Sequence, residues 1–349
     1  MAYTTINKGS SYFNTVLYTG TGASNSVTGV GFKPDWVWIK DRSANAYNHA
    51  LFDAVRGVTK LIQSNTTNAE QTTSGVSSFD TDGFTLGTDI GMNQSSVSFA
   101  SWNWLGANTT VSNTSGTITS TVSANTTAGF SIVSYTGTGV VATVGHGLGV
   151  APNIIIVKQR TVAGNHWVMY NSNLPSANYF LYLDSTDSQQ TAAGFFNNTA
   201  PTSSVFTIGT DAQTNGNTNN LIAYCFAQIR GYSKFGSYTG NGDANGTFVY
   251  TGFKPAFLIV KRYNDAGYDW LMYDNKRQVS FNVVDDFLKP NTSDAETTGN
   301  ANQSLDFLSN GVKFRGSGAS SNGSGASYIY MAFAENPFVT SGGIPVTAR

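Results

Sequence analysis

Continuous apolar runs, each introduced by a proline and ended by a lysine, occur three times along the chain: Trp36 to Lys40, Asn153 to Lys158 and Ala256 to Lys261. Five or six apolar residues without alternation suit a strand buried on both faces or at the centre of a core. Pro34, Pro152 and Pro255 stand at the head of the runs, where a missing N–H harms no ladder. A second strand is predicted at Ala50 to Phe52, Trp167 to Tyr170 and Trp270 to Tyr273. A third is predicted at Gly83 to Leu86, Val205 to Ile208 and Gly311 to Phe314. Asp82-Gly83 and Asn310-Gly311 read as tight turns. An aromatic strand closes each set: Val97 to Trp104, Leu221 to Ala227 and Tyr328 to Ala334. Helical periodicity is nearly absent, with one helical turn as the alternative reading of Val283 to Leu288. Short strands and polar turns predict an all-β chain of sandwich or jelly-roll type.

The runs lie in a fixed frame. Tyr18-Thr19-Gly20, Tyr135-Thr136-Gly137 and Tyr238-Thr239-Gly240 precede Gly31 to Pro34, Gly149 to Pro152 and Gly252 to Pro255. From proline to lysine is 6 positions in every copy, and from that lysine to Asp53, Asn171 or Asp274 is 13. Side chains drift, but strand and turn lengths are held by pairing, so constant spacing implies a shared backbone. The frame divides the chain into three tandem β-sandwich repeats, at residues 1–107, 129–231 and 232–338. Each is near the size at which a small sandwich buries its own core. Residues 108–128, almost wholly Thr, Ser, Asn, Val and Ala, read as a linker or edge segment, with an added strand as the alternative. Residues 339–349 form a tail, free or reaching a neighbour.

Composition narrows the function. Charged residues are 11% and aromatics 13% of the 349, against about 25% charged in ordinary soluble domains. Solubility therefore rests on uncharged Ser, Thr, Asn and Gly, a surface nearly indifferent to pH and salt. A net charge of −1 with no basic block leaves no footprint for nucleic acid. No run reaches membrane-spanning length, and the first residues lack the apolar core of a signal peptide. Cys225, the single cysteine, excludes an intrachain disulfide and reads as a small buried hydrophobe. No metal site or cofactor is expected.

The strings GFKPDWVWIK, LFDAVRG, SFDTDGFTLG and FASWNW of the first repeat resemble a module of predicted structural proteins of marine phages, usually labelled tail-fibre-like and of concanavalin-like appearance. The likeness is close in the first repeat and fair in the third. It is looser in the second, which has Gly149-Val150-Ala151-Pro152 and lacks the Asp-Gly turn. The resemblance implies a virion component, and a start without a secretion signal on a sparsely charged chain fits one made in the host cytoplasm. It carries no residue-level chemistry.

Candidate sites are the positions the repeats share. Lys40, Lys158 and Lys261, with Arg42, Arg160 and Arg262 just beyond, end the core strands, and Asp53, Asn171 and Asp274 end the next. Paired antiparallel, lysine and carboxylate would form a sheet-end ion pair or a ligand patch repeated three times. Asn171 in the middle copy favours the structural reading. The intervening loops place Tyr47, His49, Asn165, His166, Tyr268 and Asp269 where an aromatic face and amide or carboxylate groups suit a sugar. Trp167 and Trp270, at the strand starts, read as core. Catalysis has little support. No HExxH, GxSxG or Cys/His pairing is present, and Asp80 with Asp82 and Asp285 with Asp286 are not paralleled across the copies. The function expected is a tail-fibre-like virion protein, a trimer by the habit of fibres, that meets other virion proteins and attaches to a host-surface glycan. The alternatives are a head or tail decoration protein and, as an outsider, a polysaccharide depolymerase.

Overall fold

A computed structural model describes residues 3–43, 46–278 and 282–345. Nearly every element is an antiparallel strand. In the first repeat an opening strand (Phe13–Thr19), a closing strand (Ser98–Trp104), a core strand (Trp36–Asp41) and a following strand (Ala50–Asp53) are hydrogen-bonded in that order. The order recurs with Phe130–Thr136, Asn220–Phe226, Ile154–Gln159 and Trp167–Asn171. It recurs again with Ser233–Thr239, Ser327–Pro337, Phe253–Arg262 and Leu271–Asp274. Val111–Asn113 and Ser120–Asn125 extend the second sheet at one edge, so strands occupy the stretch read as a linker or edge segment. Val283 to Leu288 holds no helical turn. Val284 bridges to Leu305, Phe287 to Thr297 and Leu288 to Met272, because the apolar residues there find strands to pair with. In the tail, Ser341 N–H donates to Asn7, and residues 346–349 lie outside the described residues.

The repeated Tyr-Thr-Gly has a mechanical cause. The hydroxyls of Tyr18 and Tyr135 donate to the carbonyls of Met92 and Thr214, both at 2.7 Å, and that of Tyr238 donates to Ser321. The glycine follows because a Cβ at Gly20, Gly137 or Gly240 would lie 2.2, 2.3 or 2.4 Å from a backbone oxygen. The turn before the closing strand is thus clamped to the end of the opening strand. Gly31, Gly149 and Gly252 share a second constraint, with φ of 87°, 73° and 80°, a region that glycine enters freely.

Each large sheet is buried on both faces. In the first repeat Val37 and Ile39 face outward onto Phe84 and Leu86 of a small sheet (Asn25–Thr28, Gly83–Leu86, Val76–Asp80). Trp36 and Trp38 face the other way. Their partners are not a second sheet of their own repeat but the inner faces of the other two: Ile154, Ile156, Tyr224 and Phe226, with Phe257, Ile259, Met331 and Phe333. Trp36 stacks on Tyr224 at 4.4 Å between centroids, Phe13 on Phe333 at 5.2 Å, and Phe226 meets Phe333 at 6.0 Å. The expectation of one private core per repeat is therefore corrected. Three outer cores are private, and the central one is common to all.

Ion clamps seal two of the three seams. Asp53 accepts from Arg56 and, at 2.7 Å, from the Tyr224 hydroxyl of the second repeat. Arg56 reaches Glu70 at 3.2 Å, and Glu70 accepts from Arg160 of the second repeat at 2.8 Å. Between third and first repeats the same part is played by Asp274, Arg277 and Glu296, with Trp102 Nε1 donating to Asp274 at 3.0 Å and Arg42 meeting Glu296 at 2.7 Å. Burial pushes the Asp274 carboxyl up, but Arg277 outweighs it and holds it below the usual range. Between second and third repeats the corresponding residues are Asn171, Leu174 and Gln189. A backbone bond marks the equivalence of all three seams: Glu70, Glu296 and Gln189 N–H donate to Arg160, Arg42 and Tyr263 at 2.9, 3.2 and 2.7 Å. First repeat clasps second, second clasps third, third clasps first. The ring closes.

Candidate functional site at the loop end

The ion pair expected between Lys40 and Asp53 does not form, nor do its counterparts. Register decides it. Trp36 is opposite Asp53, Ile154 opposite Asn171 and Phe257 opposite Asp274, so the acidic or amide residue faces the start of the core strand while the lysine stands at its end. The lysines form no exposed ligand patch either, being fully buried. Lys40 Nζ donates to Asp41 O at 2.8 Å, Lys158 Nζ to Asn165 O, and Lys261 Nζ to Tyr268 O. Burial pushes all three ammonium groups down to about 8, against partial opposition from Asp41, Asp184 and Asp269 respectively. Below pH 8 both folded and unfolded chains hold these protons. Between about 8 and the ordinary lysine value near 10.5 only the unfolded chain does, so stability rises with pH across that window. Melting followed from pH 7.5 to 9.5 should show the midpoint climbing, and a Lys158→Met variant should climb less.

Beyond each lysine the loop returns to the following strand through a unit that differs in chemistry between copies. The N–H groups of His49, Trp167 and Trp270 donate to Asn65, Asp184 and Asn291 side-chain oxygens at 3.0, 3.1 and 3.0 Å. Those side chains also bond the preceding loop residue: Asn65 to Asn48 at 2.7 Å, Asp184 to His166 at 3.0 Å, Asn291 to Asp269 at 2.8 Å. The rings then cross to a neighbouring repeat. Trp167 Nε1 donates to Gln63 O at 2.8 Å and Trp270 Nε1 to Tyr182 O at 3.0 Å. Trp38 Nε1 donates to His49 Nδ1 at 2.8 Å, which leaves the proton on Nε2 to be donated to Lys289 O at 3.0 Å. Asn65, Asp184 and Asn291 escaped sequence reading because they follow the ring residue by 16, 17 and 21 positions, with no common spacing.

The six sugar candidates separate on this scaffold. His49 is wholly buried between Trp38 and Lys289, so it is corrected from ligand residue to seam residue; burial holds its imidazole well below the ordinary value. Asn165 folds onto its own loop, donating to Val162 O at 2.9 Å. His166 stacks on Tyr182 at 4.3 Å, and its bond to Asp184 raises its imidazole above the ordinary value. Tyr268 is covered by the Arg262 guanidinium at 4.1 Å, and Asp269 is paired with Lys289 at 3.1 Å. Tyr47 borders an open groove. It is about 240 Å³ in volume and is lined by Tyr47, Asn48, Gln63, Gln71, Asp89 and Ile90 among others. Trp167 and Trp270 are core, as read.

Among the described residues no group of three or more His, Cys, Asp and Glu side chains is placed to hold a metal, and no helix is long and apolar enough to cross a membrane. Cys225 lies fully buried on the second closing strand, where burial pushes its thiol up to about 12. It should resist thiol reagents at pH 8 in the folded protein and react fully once unfolded.

The family model for a domain of unknown function, DUF7483, matches residues 8–337. The chain belongs to this family. No curated protein and no solved structure matches it. The DUF7483 match runs from just before the first opening strand to the end of the last closing strand, so the family's unit is the whole ring rather than one sandwich.

Proposed function

We propose that this DUF7483 chain is a virion structural protein of a phage, tail-fibre-like, that attaches to the host surface through the loop end of its ring, with a glycan as the ligand. The observation that carries the reading is the double burial of all three large sheets. It leaves loops and edge strands as the exposed surface of a sparsely charged body. Each histidine is occupied structurally: His49 and His166 as above, His146 between Leu148 N–H and Thr202 O. That supports binding over catalysis. Three repeats packed around one core within a single chain support a monomer in solution over the trimer expected of a fibre. Decoration of a head or tail is the second reading, favoured by the fit of a closed three-part ring to a threefold position on a particle. Purified protein added before phage should block adsorption to host cells. Undiminished adsorption, with gold-labelled antibody marking heads rather than tail tips, would replace the first reading by the second.

A further inference from the structure

We infer that the groove beside Tyr47 in the first repeat is a single binding site for a neutral saccharide, and that the second and third repeats carry no counterpart. The inference rests on the attachment reading above and gives it a location and a ligand class.

The equivalent positions differ between the three copies. Each repeat sets a loop residue beside the bonded pairs described above: Tyr47, Asn165 and Tyr268. In the second repeat the space is taken by His166 stacked on Tyr182. In the third, Arg262 lies over Tyr268 and Lys289 joins Asp269. In the first repeat the residues at the pairing positions are Asn48, Asn65 and Gln63, short uncharged groups that neither stack nor form an ion pair, so the groove stays open.

The lining is suited to sugar hydroxyls. The Tyr47 ring is held in place by its hydroxyl, which donates to Gln94 Oε1 at 2.7 Å, and so presents a fixed apolar face. Exposed Ile90 extends that face. Around it are donors and acceptors that no described residue satisfies. The Asn48 amide uses its oxygen on Asn65 and keeps both N–H groups free. Gln63 accepts from Thr66 and Asn68 but donates to nothing. The exposed Gln71 amide is wholly uncommitted, and Asp89 spends one carboxylate oxygen on Gly91 N–H and leaves the other. Planar amides and a carboxylate oxygen around an aromatic face match the vicinal hydroxyls of a pyranose. No Lys or Arg lines the groove, and Asp89 opposes an anion. That selects neutral hexoses or N-acetylhexosamines over sialylated or sulfated sugars. The volume has room for roughly one or two sugar rings.

The test is binding of the intact protein to a printed array of neutral, sialylated and sulfated oligosaccharides, followed by saturation-transfer NMR with the best neutral binder. Tyr47→Ala should weaken binding by roughly tenfold or more and Gln71→Ala by roughly threefold or more. Tyr268→Ala should bind as the parent does. Gln71 is exposed on a two-residue strand, so its variant reports on the groove even where Tyr47→Ala folds poorly. Neutral-sugar binding that survives both groove substitutions overturns the site but leaves glycan attachment standing. Preference for sialylated or sulfated sugars overturns the ligand class. Loss of binding in Tyr268→Ala overturns the claim of one site. Silence on the array, with the protein still blocking adsorption, overturns the inference and the glycan part of the attachment reading together, sparing only attachment itself.

Discussion

Replacing Arg277 by leucine is expected to destabilise the protein by about 3–5 kcal/mol, because it strips buried Asp274 of its guanidinium and leaves Glu296 with Arg42 alone. Arg277 and Asp274 have fully buried side chains, and Glu296 is nearly so. The chain itself supplies the control. At the seam between second and third repeats the same three positions are Asn171, Leu174 and Gln189, uncharged and compatible with a closed ring. The triple variant Asp274→Asn, Arg277→Leu, Glu296→Gln should therefore recover most of what the single change loses. Recovery should stay short of complete, since Asn171 Nδ2 has no hydrogen-bond partner at the natural neutral seam and an unpaired buried amide costs about 1–3 kcal/mol. Urea unfolding of the three proteins reads both numbers. A single variant as stable as its parent would show that the clamp adds nothing to the seam.

The second large effect is remote. Trp36→Ala should cost about 3–5 kcal/mol as a large-to-small change in a packed core. Trp36 packs against Trp38 and Trp104 of its own repeat, but also against Phe130, Tyr224 and Phe226 of the second. The loss must therefore appear in the second repeat as well as the first. Cys225 is the reporter: it is the only cysteine and lies on the second closing strand, facing that repeat's private core. Its labelling midpoint in urea should fall by the same amount as the midpoint seen by circular dichroism. A Cys225 midpoint unmoved by Trp36→Ala would mean that the repeats unfold separately.

Strand positions were legible because their signals are local. A proline-led apolar run or an Asp-Gly turn needs no knowledge of the rest of the fold. Trp36, Ile154 and Phe257 were visibly buried residues, but what covers them was not visible. An inward tryptophan reads alike whether a sheet of its own repeat or another repeat lies opposite. The Lys40 to Asp53 pair went wrong on register. A constant spacing of 13 speaks of a conserved hairpin, and in an antiparallel hairpin two such ends are a strand length apart. The clamp that does form, Asp53 with Arg56 and Asp274 with Arg277, was present as an i, i+3 spacing. Only the crossing partners Tyr224 and Trp102 reveal its purpose. At the loop end, Tyr47 kept its place as a sugar candidate because the groove beside it stayed open. His49 lost its place because the same position holds tryptophan in the other copies and serves the seam.

Three repeats packed around one core should unfold as one body, which scanning calorimetry of the intact chain reads out. A single transition whose van't Hoff enthalpy matches the calorimetric enthalpy, a ratio near about 1, is the predicted result. Three resolved transitions, or a ratio near about one third, would contradict it.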